Sequence, residues 1–326
     1  MYAEKAAATA GSPPKQPLSR DQNHTGPVQH SRQMKPVLRQ APLPEPPTIA
    51  ALTSYISSFF PKNGNDVRFL YHQPFVRNFD ASVQRATRVV LSVTPTKGFY
   101  QTLGINTHLG FLHRPFGLAR KEVPRRATIL ACHKAFDEVL TVGWNLPLAS
   151  RLGLDVEKAQ VIQGYKGDPE RRIGIVGRYA GQGGQAPGNV RATVLNEFHG
   201  SFDGSFGFPD SAGDDVAPSS THIAGIAIMN AFHPAEVERV CSCAEDIGVQ
   251  PGEMLYLTGA VREAGLEAAR TRGMRVICVG HRVCEEWGIR YLSSQLREKF
   301  PGLEVEEVLE EEEPSSSKQR VGATRQ

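Results

Sequence analysis

Apolar residues recur at helical spacing in TIAALTSYISSFF (48–60), whereas RVVLSV (88–93) and TILACH (128–133) are short apolar runs that predict buried strands. EVLTVGWNLPLASRLGL (138–154) reads as a helical region strained by Gly143 and Pro147. Between Gly177 and Ser220 the chain is rich in Gly, Asp, Ser and Phe without steady periodicity, which predicts long loops and no catalytic residue there. The last third alternates cleanly. IAGIAI (223–228), MLYLTG (254–259) and MRVICVG (274–280) read as strands, separated by the helices PAEVERVCSCAEDIG and VREAGLEAARTRG and followed by the helix CEEWGIRYLSSQLREKF. Strands alternating with helices at this spacing predict an α/β fold with mostly parallel pairing and right-handed crossovers. The expected organisation is two α/β lobes, 48–160 and 161–308, with ligands bound beyond the carboxyl ends of the strands.

Composition sets the limits of that pattern. Residues 1–47 hold nine prolines and few large apolar side chains, and 309–326 pass from an acidic run into a polar stretch, so both ends are expected to be disordered tails. The remainder, in a chain that is 40% hydrophobic and 22% charged, can bury a core. A net charge of +3 gives no reason to expect direct nucleic-acid binding. The longest apolar run, IAGIAIMNAF, is half of the roughly 20 residues a membrane span requires. With no secretory signal, and with acidic residues and prolines arguing against a mitochondrial presequence, the expected compartment is the cytoplasm or the nucleus. The five cysteines are unevenly spaced and are expected to be reduced.

The clearest chemistry lies at the end of MRVICVG. His281 follows the strand, at the edge where such a sheet opens to solvent, and Glu285 stands four residues on, on the same side of the following helix. Imidazole with carboxylate is a common donor pair for zinc, iron or manganese. The same spacing also fits a carboxylate favoured by the helix dipole beside a hydrogen-bonded histidine.

GHRVCEEWGIRYLSSQLREKF (280–300) resembles the closing motif of the Ngg-interacting-factor-three-like family, known in some bacteria as GTP cyclohydrolase I type 2 homologues, in which a Gly-His-x-x-Ser/Thr-Glu-x-x-Gly string supplies a His and a Glu to a metal. Gly280, His281, Glu285 and Gly288 match it. MLYLTG resembles the family's strand ending in Thr-Gly-Glu, and RRIGIVGRY (171–179) its Gly-Ile-Gly-Arg-like stretch. LHRPF (112–116) is similar to its His-His-Pro element, and CHKAFD (132–137) to its His-Thr-Asn-Leu-Asp element. The resemblance implies a metal site in the cleft between two lobes, with His113, Asp137, His281 and Glu285 as ligands and His133 as a neighbour that orients them. It further implies metal-assisted hydrolysis of a nucleotide-like substrate, with Glu285 or His133 handling protons.

Three departures bear on this expectation. The second His of the His-His-Pro element is Arg114, the Asn of the Asp-bearing motif is Ala135, and the Glu of Thr-Gly-Glu is Ala260. A guanidinium cannot ligate a cation and repels one, so one divalent metal per chain is expected where the family holds two. Cys284, in the family's Ser/Thr position, is expected to be a small buried apolar residue. The alternative function is a non-catalytic scaffold that keeps the fold for a protein partner, since eukaryotic relatives are named for binding a transcriptional adaptor. The resemblance also implies a homo-oligomer, a toroidal hexamer in relatives.

Overall fold

A computed structural model describes residues 45–311, apart from 63, 105, 106, 182 and 209–219. Nearly all of both expected tails therefore lies outside the described residues. In the first sheet the parallel strands β2 (Arg88–Ser92), β3 (Leu109–Leu112) and β4 (Thr128–Ala131) lie side by side, with β1 (Leu70–His72) antiparallel on the β4 edge. Almost every residue of β2, β3 and β4 is buried, as required of strands covered on both faces. Helix α1 (Ile49–Ser57), capped by the Thr48 hydroxyl on the Ala51 N–H, packs Ile49, Leu52 and Ile56 against this sheet. Helix α2 (Lys97–Leu103) connects β2 to β3, and helix α3 (Lys134–Val139) follows β4.

The second sheet is mixed. Its centre is parallel: β8 (Gly225–Met229), β9 (Met254–Thr258) and β10 (Arg275–Cys278), linked by helices α6 (Pro234–Asp246) and α7 (Glu263–Thr271). The hairpin of β5 (Gln160–Tyr165) and β6 (Asp168–Arg178) joins antiparallel on the β8 side, and the short β7 (Gly204–Phe206) on the β10 side. Helix α8 (His281–Lys299) leaves β10 and spans both cores. Cys284 and Trp287 pack with the second sheet, while Ile289, Leu292 and Leu296 pack with the first. The chain then forms β11 (Glu304–Val308), which runs parallel to β2, so the first sheet is built from both ends of the described chain. The result is the mixed α/β architecture with two sheets that the strand–helix alternation predicts, and the described residues all belong to one compact unit from Leu43 onward.

Two segments differ from expectation. Within 177–220, expected to be loop, lie the end of β6, helix α5 (Pro187–Glu197) and β7. Helix α5 buries only Val190 and Val194 and lies between Gly-rich flanks, too narrow a stripe to show as periodicity. The helical stretch 138–154 is broken rather than strained. Gly143 turns so tightly that an added Cβ would sit 2.6 Å from the Glu138 carbonyl oxygen, and a new helix, α4 (Leu146–Arg151), starts with the Asn145 side chain accepting from the Leu148 N–H. Pro147 falls in the first turn of α4, where its missing N–H costs nothing. No helix among the described residues is long and apolar enough to cross a membrane, and all five cysteines are free thiols.

Candidate metal centre

The carboxyl ends of three parallel strands deliver the histidines. His113 follows β3 directly, with its N–H donating to the Ser92 carbonyl at the end of β2 and that of Arg114 donating to the Val93 carbonyl. His133 lies just past β4 at the start of α3, which carries Asp137 one turn on. His281 opens α8 after β10; Gly280, at φ +96°, makes the sharp entry that only glycine adopts readily, and Glu285 sits one turn along. Helix α8 thus begins three residues before Cys284, the first residue of the helix expected from the sequence.

These residues, far apart in sequence, meet. Nε2 of His113 is 3.3 Å from Oδ1 of Asp137 and 3.3 Å from Oε1 of Glu285, and Nε2 of His281 is 3.4 Å from the same Glu285 oxygen. His133 Nε2 lies 4.0 Å from the other Asp137 oxygen. His113, His133 and Asp137 each offer a ligand atom, these atoms lie within 4.8 Å of one another, and the three form a group able to hold one metal ion. His133, expected only as an orienting neighbour, therefore stands among the donors, while Glu285 and His281 stand against His113 and each other. Exposure is graded. The side chains of His113 and Glu285 are 0% and 2% exposed, and His281 is 54% exposed, so the cluster has a buried floor and a mouth toward solvent.

The spacings also suit donors around a cation, since atoms bound at about 2.0–2.2 Å to a tetrahedral zinc lie about 3.3–3.6 Å apart. Nε2 of His113 and Oε2 of Glu285 are buried without a hydrogen-bond partner among the described residues. The other ring nitrogen of His113, Nδ1, lies 3.1 Å from the Cys132 carbonyl oxygen, a contact that places its proton there and leaves the Nε2 electron pair facing the carboxylates. The donor set therefore fits a divalent cation.

Electrostatics point the same way. Burial favours the neutral ring of His113, but Asp137 and Glu285 outweigh it and push its pKa up to about 9. Burial would raise Glu285, yet His113 and His281 hold its carboxyl far below the usual carboxylate range. His281 is raised, first by Glu285, and His133 is lowered, first by burial. In the metal-free protein a proton on His113 thus competes with any metal. Below about pH 9 binding must displace it, so zinc affinity is expected to rise about tenfold per pH unit from pH 7 toward 9. Competition titrations at several pH values check this; a flat profile would place the metal elsewhere.

Arg114 lines the mouth, with Nη1 3.9 Å from Oε1 of Glu285. Cys284 is 2% exposed and packed in the core of the second sheet; burial raises its thiol pKa, in keeping with the expected apolar role. Sequence reasoning missed Asp66. Its carboxylate accepts from the backbone N–H groups of His133 (3.1 Å), Lys134 (3.0 Å) and Ala135 (2.8 Å), capping the helix that carries Asp137. Burial opposes its charge, but these donors hold its pKa below the ordinary value. No local signal marks it, because the residues it caps lie 67 to 69 positions away.

No protein-family profile matches the sequence, and no curated protein does. Solved structures do. A Staphylococcus aureus protein, SA1388, aligns with a TM-score of 0.54 at 16% identity, over 83% of this chain and 99% of that one. The reduced HcgD of Methanocaldococcus jannaschii aligns at 0.52 and 14% identity, over 80% and 97%, and a Bacillus cereus protein related to NIF3 at 0.50 and 12%, over 83% and 99%. The chain has the NIF3-like fold. The resemblance read from its motifs holds at the level of architecture, and in this fold His113, Asp137, His281 and Glu285 lie together with His133.

Proposed function

We propose that the chain is a divergent member of the NIF3-like family and a metal-dependent hydrolase acting on a nucleotide-like substrate. The observation that carries this reading is the pair of buried atoms without a hydrogen-bond partner among the described residues, Nε2 of His113 and Oε2 of Glu285, at the floor of a cluster of three histidines and two carboxylates. His113, Asp137, His281 and Glu285 would hold one zinc, iron or manganese ion. Such an ion, when bound, lowers the pKa of a water toward neutrality and so supplies a nucleophile. His133, although within reach of the same centre, is in this reading left off the ion and serves as the proton acceptor: its side chain is 30% exposed, and burial lowers its pKa, which keeps the ring neutral at pH 7. The fixed charge of Arg114, near Glu285, disfavours a second ion.

The second reading, a scaffold for a protein partner, draws on Arg114, Ala135 and Ala260, which replace potential donors or polar groups of the family pattern. Assembly as a homo-oligomer, proposed from the family pattern, is compatible with either. Protein loaded with zinc, manganese or iron and assayed against a nucleotide panel separates the two. The enzyme reading expects metal-dependent hydrolysis whose kcat falls on the order of 100-fold or more in His133→Gln. Absence of turnover with every metal-loaded form would favour the scaffold.

A further inference from the structure

Next to the metal centre lies a cavity of about 210 Å³ whose wall includes Lys166, Arg171, Arg172 and Arg262, together with Asp137 and Asn230. We infer that it is an anion subsite for the phosphate group of a phosphate-monoester substrate. This rests on the hydrolase reading for the chemistry at the substrate's other end.

The charge balance of the cavity favours an anion. Arg172 is committed to the buried Glu138, with Nε 2.6 Å from Oε1, and Asp137 is turned to His113. That leaves Lys166, Arg171 and Arg262, none of which forms an ion pair among the described residues. Two of these cations also pack against one aromatic ring. Nζ of Lys166 lies 5.1 Å and Cζ of Arg171 5.6 Å from the centre of the same Tyr165 ring. Lys166 occupies the turn of the β5–β6 hairpin at φ +49°, a conformation that Gly or Asn adopts at lower cost, so its side chain is presented to the cavity from a costly backbone position. Positive charges lining one cavity repel one another, and a dianion among them lowers that repulsion. Forked guanidinium groups suit phosphate oxygens, and the volume is several times the roughly 30 Å³ of a liquid water.

The cavity adjoins the metal centre at two points. Asp137 belongs to both. On the other side, a Cβ added at Gly259 would lie 2.7 Å from Oδ1 of Asn230 and 3.5 Å from Cα of His281, so the cavity wall and the centre are separated there by a bare glycine. A ligand anchored by its phosphate in the cavity can reach the histidine–carboxylate cluster with its other end.

Calorimetric titration of the full chain with inorganic phosphate tests the inference, alongside elemental analysis of the same samples. Wild type is expected to bind phosphate, and Arg171→Gln/Arg262→Gln to bind it at least about tenfold more weakly, with metal content unchanged. Lys166→Gln, at an exposed turn, provides a second variant should the double one fail to fold, and is expected to show a loss in the same direction. Lys158→Gln, on an exposed lysine paired with Asp155, is expected to bind as wild type does. Absence of phosphate binding in wild type, or affinity unchanged in both cavity variants, would overturn the subsite while leaving the metal reading intact. Weakened phosphate binding in the variants of a protein that takes up no metal would instead support the subsite and sink the hydrolase reading.

Discussion

His113→Ala is expected to lower zinc affinity by on the order of 100-fold or more and to cost about 3 kcal/mol of stability in the metal-free protein. The first effect follows from removing the donor that faces both Asp137 and Glu285 at 3.3 Å. The second follows from burial. Glu285 is 1% exposed, and its ionised form is held by His113 and His281, of which only His113 is itself fully buried. Deleting that ring leaves a carboxylate facing an apolar void beside Phe136, whose ring stacks 4.4 Å from that of His113. Metal titration and denaturant unfolding of the same variant separate the two effects. Unaltered zinc affinity with lowered stability would mean that His113 serves only as a buried counter-charge.

Gly288→Ala is expected to destabilise the protein by about 2 kcal/mol or more, although alanine is the better helix former by about 1 kcal/mol. A Cβ at this position would lie 2.6 Å from Cζ of Phe136 and closer still to the Leu140 carbonyl oxygen, so the bare backbone of α8 rests directly on the end of α3. These are the helices that carry Glu285 and Asp137. Lifting α8 away from α3 draws the carboxylates away from a common centre, and zinc affinity is expected to fall about tenfold although Gly288 touches no donor atom. Denaturation midpoints and zinc titration check both effects. A gain of about 1 kcal/mol, the value for an exposed helix position, would show that α8 does not depend on this close approach.

Much of this arrangement is legible in the sequence where burial is complete. The runs RVVLSV, TILACH, IAGIAI, MLYLTG and MRVICVG all form strands, since a strand covered on both faces must be apolar throughout. Elements with one thin apolar edge are not legible. Helix α5 buries two residues of its own, β7 has three residues on a sheet edge, and β5, an outer strand, buries only Ile162. At the site, the His281–Glu285 pair is visible because both residues belong to one local strand-to-helix turn. His113 and Asp137 carry no local mark, and only likeness to a family motif nominates them. Asp66 and Gly288 show the remaining limit. One acts through backbone groups far along the chain and the other by having no side chain, and neither leaves a pattern in sequence spacing.

Elemental analysis of the full chain purified without chelator tests the central claim most directly. One tightly held divalent metal per chain is expected in wild type and none in His113→Ala. Two tightly held metals per chain, or one that persists in His113→Ala, would contradict it.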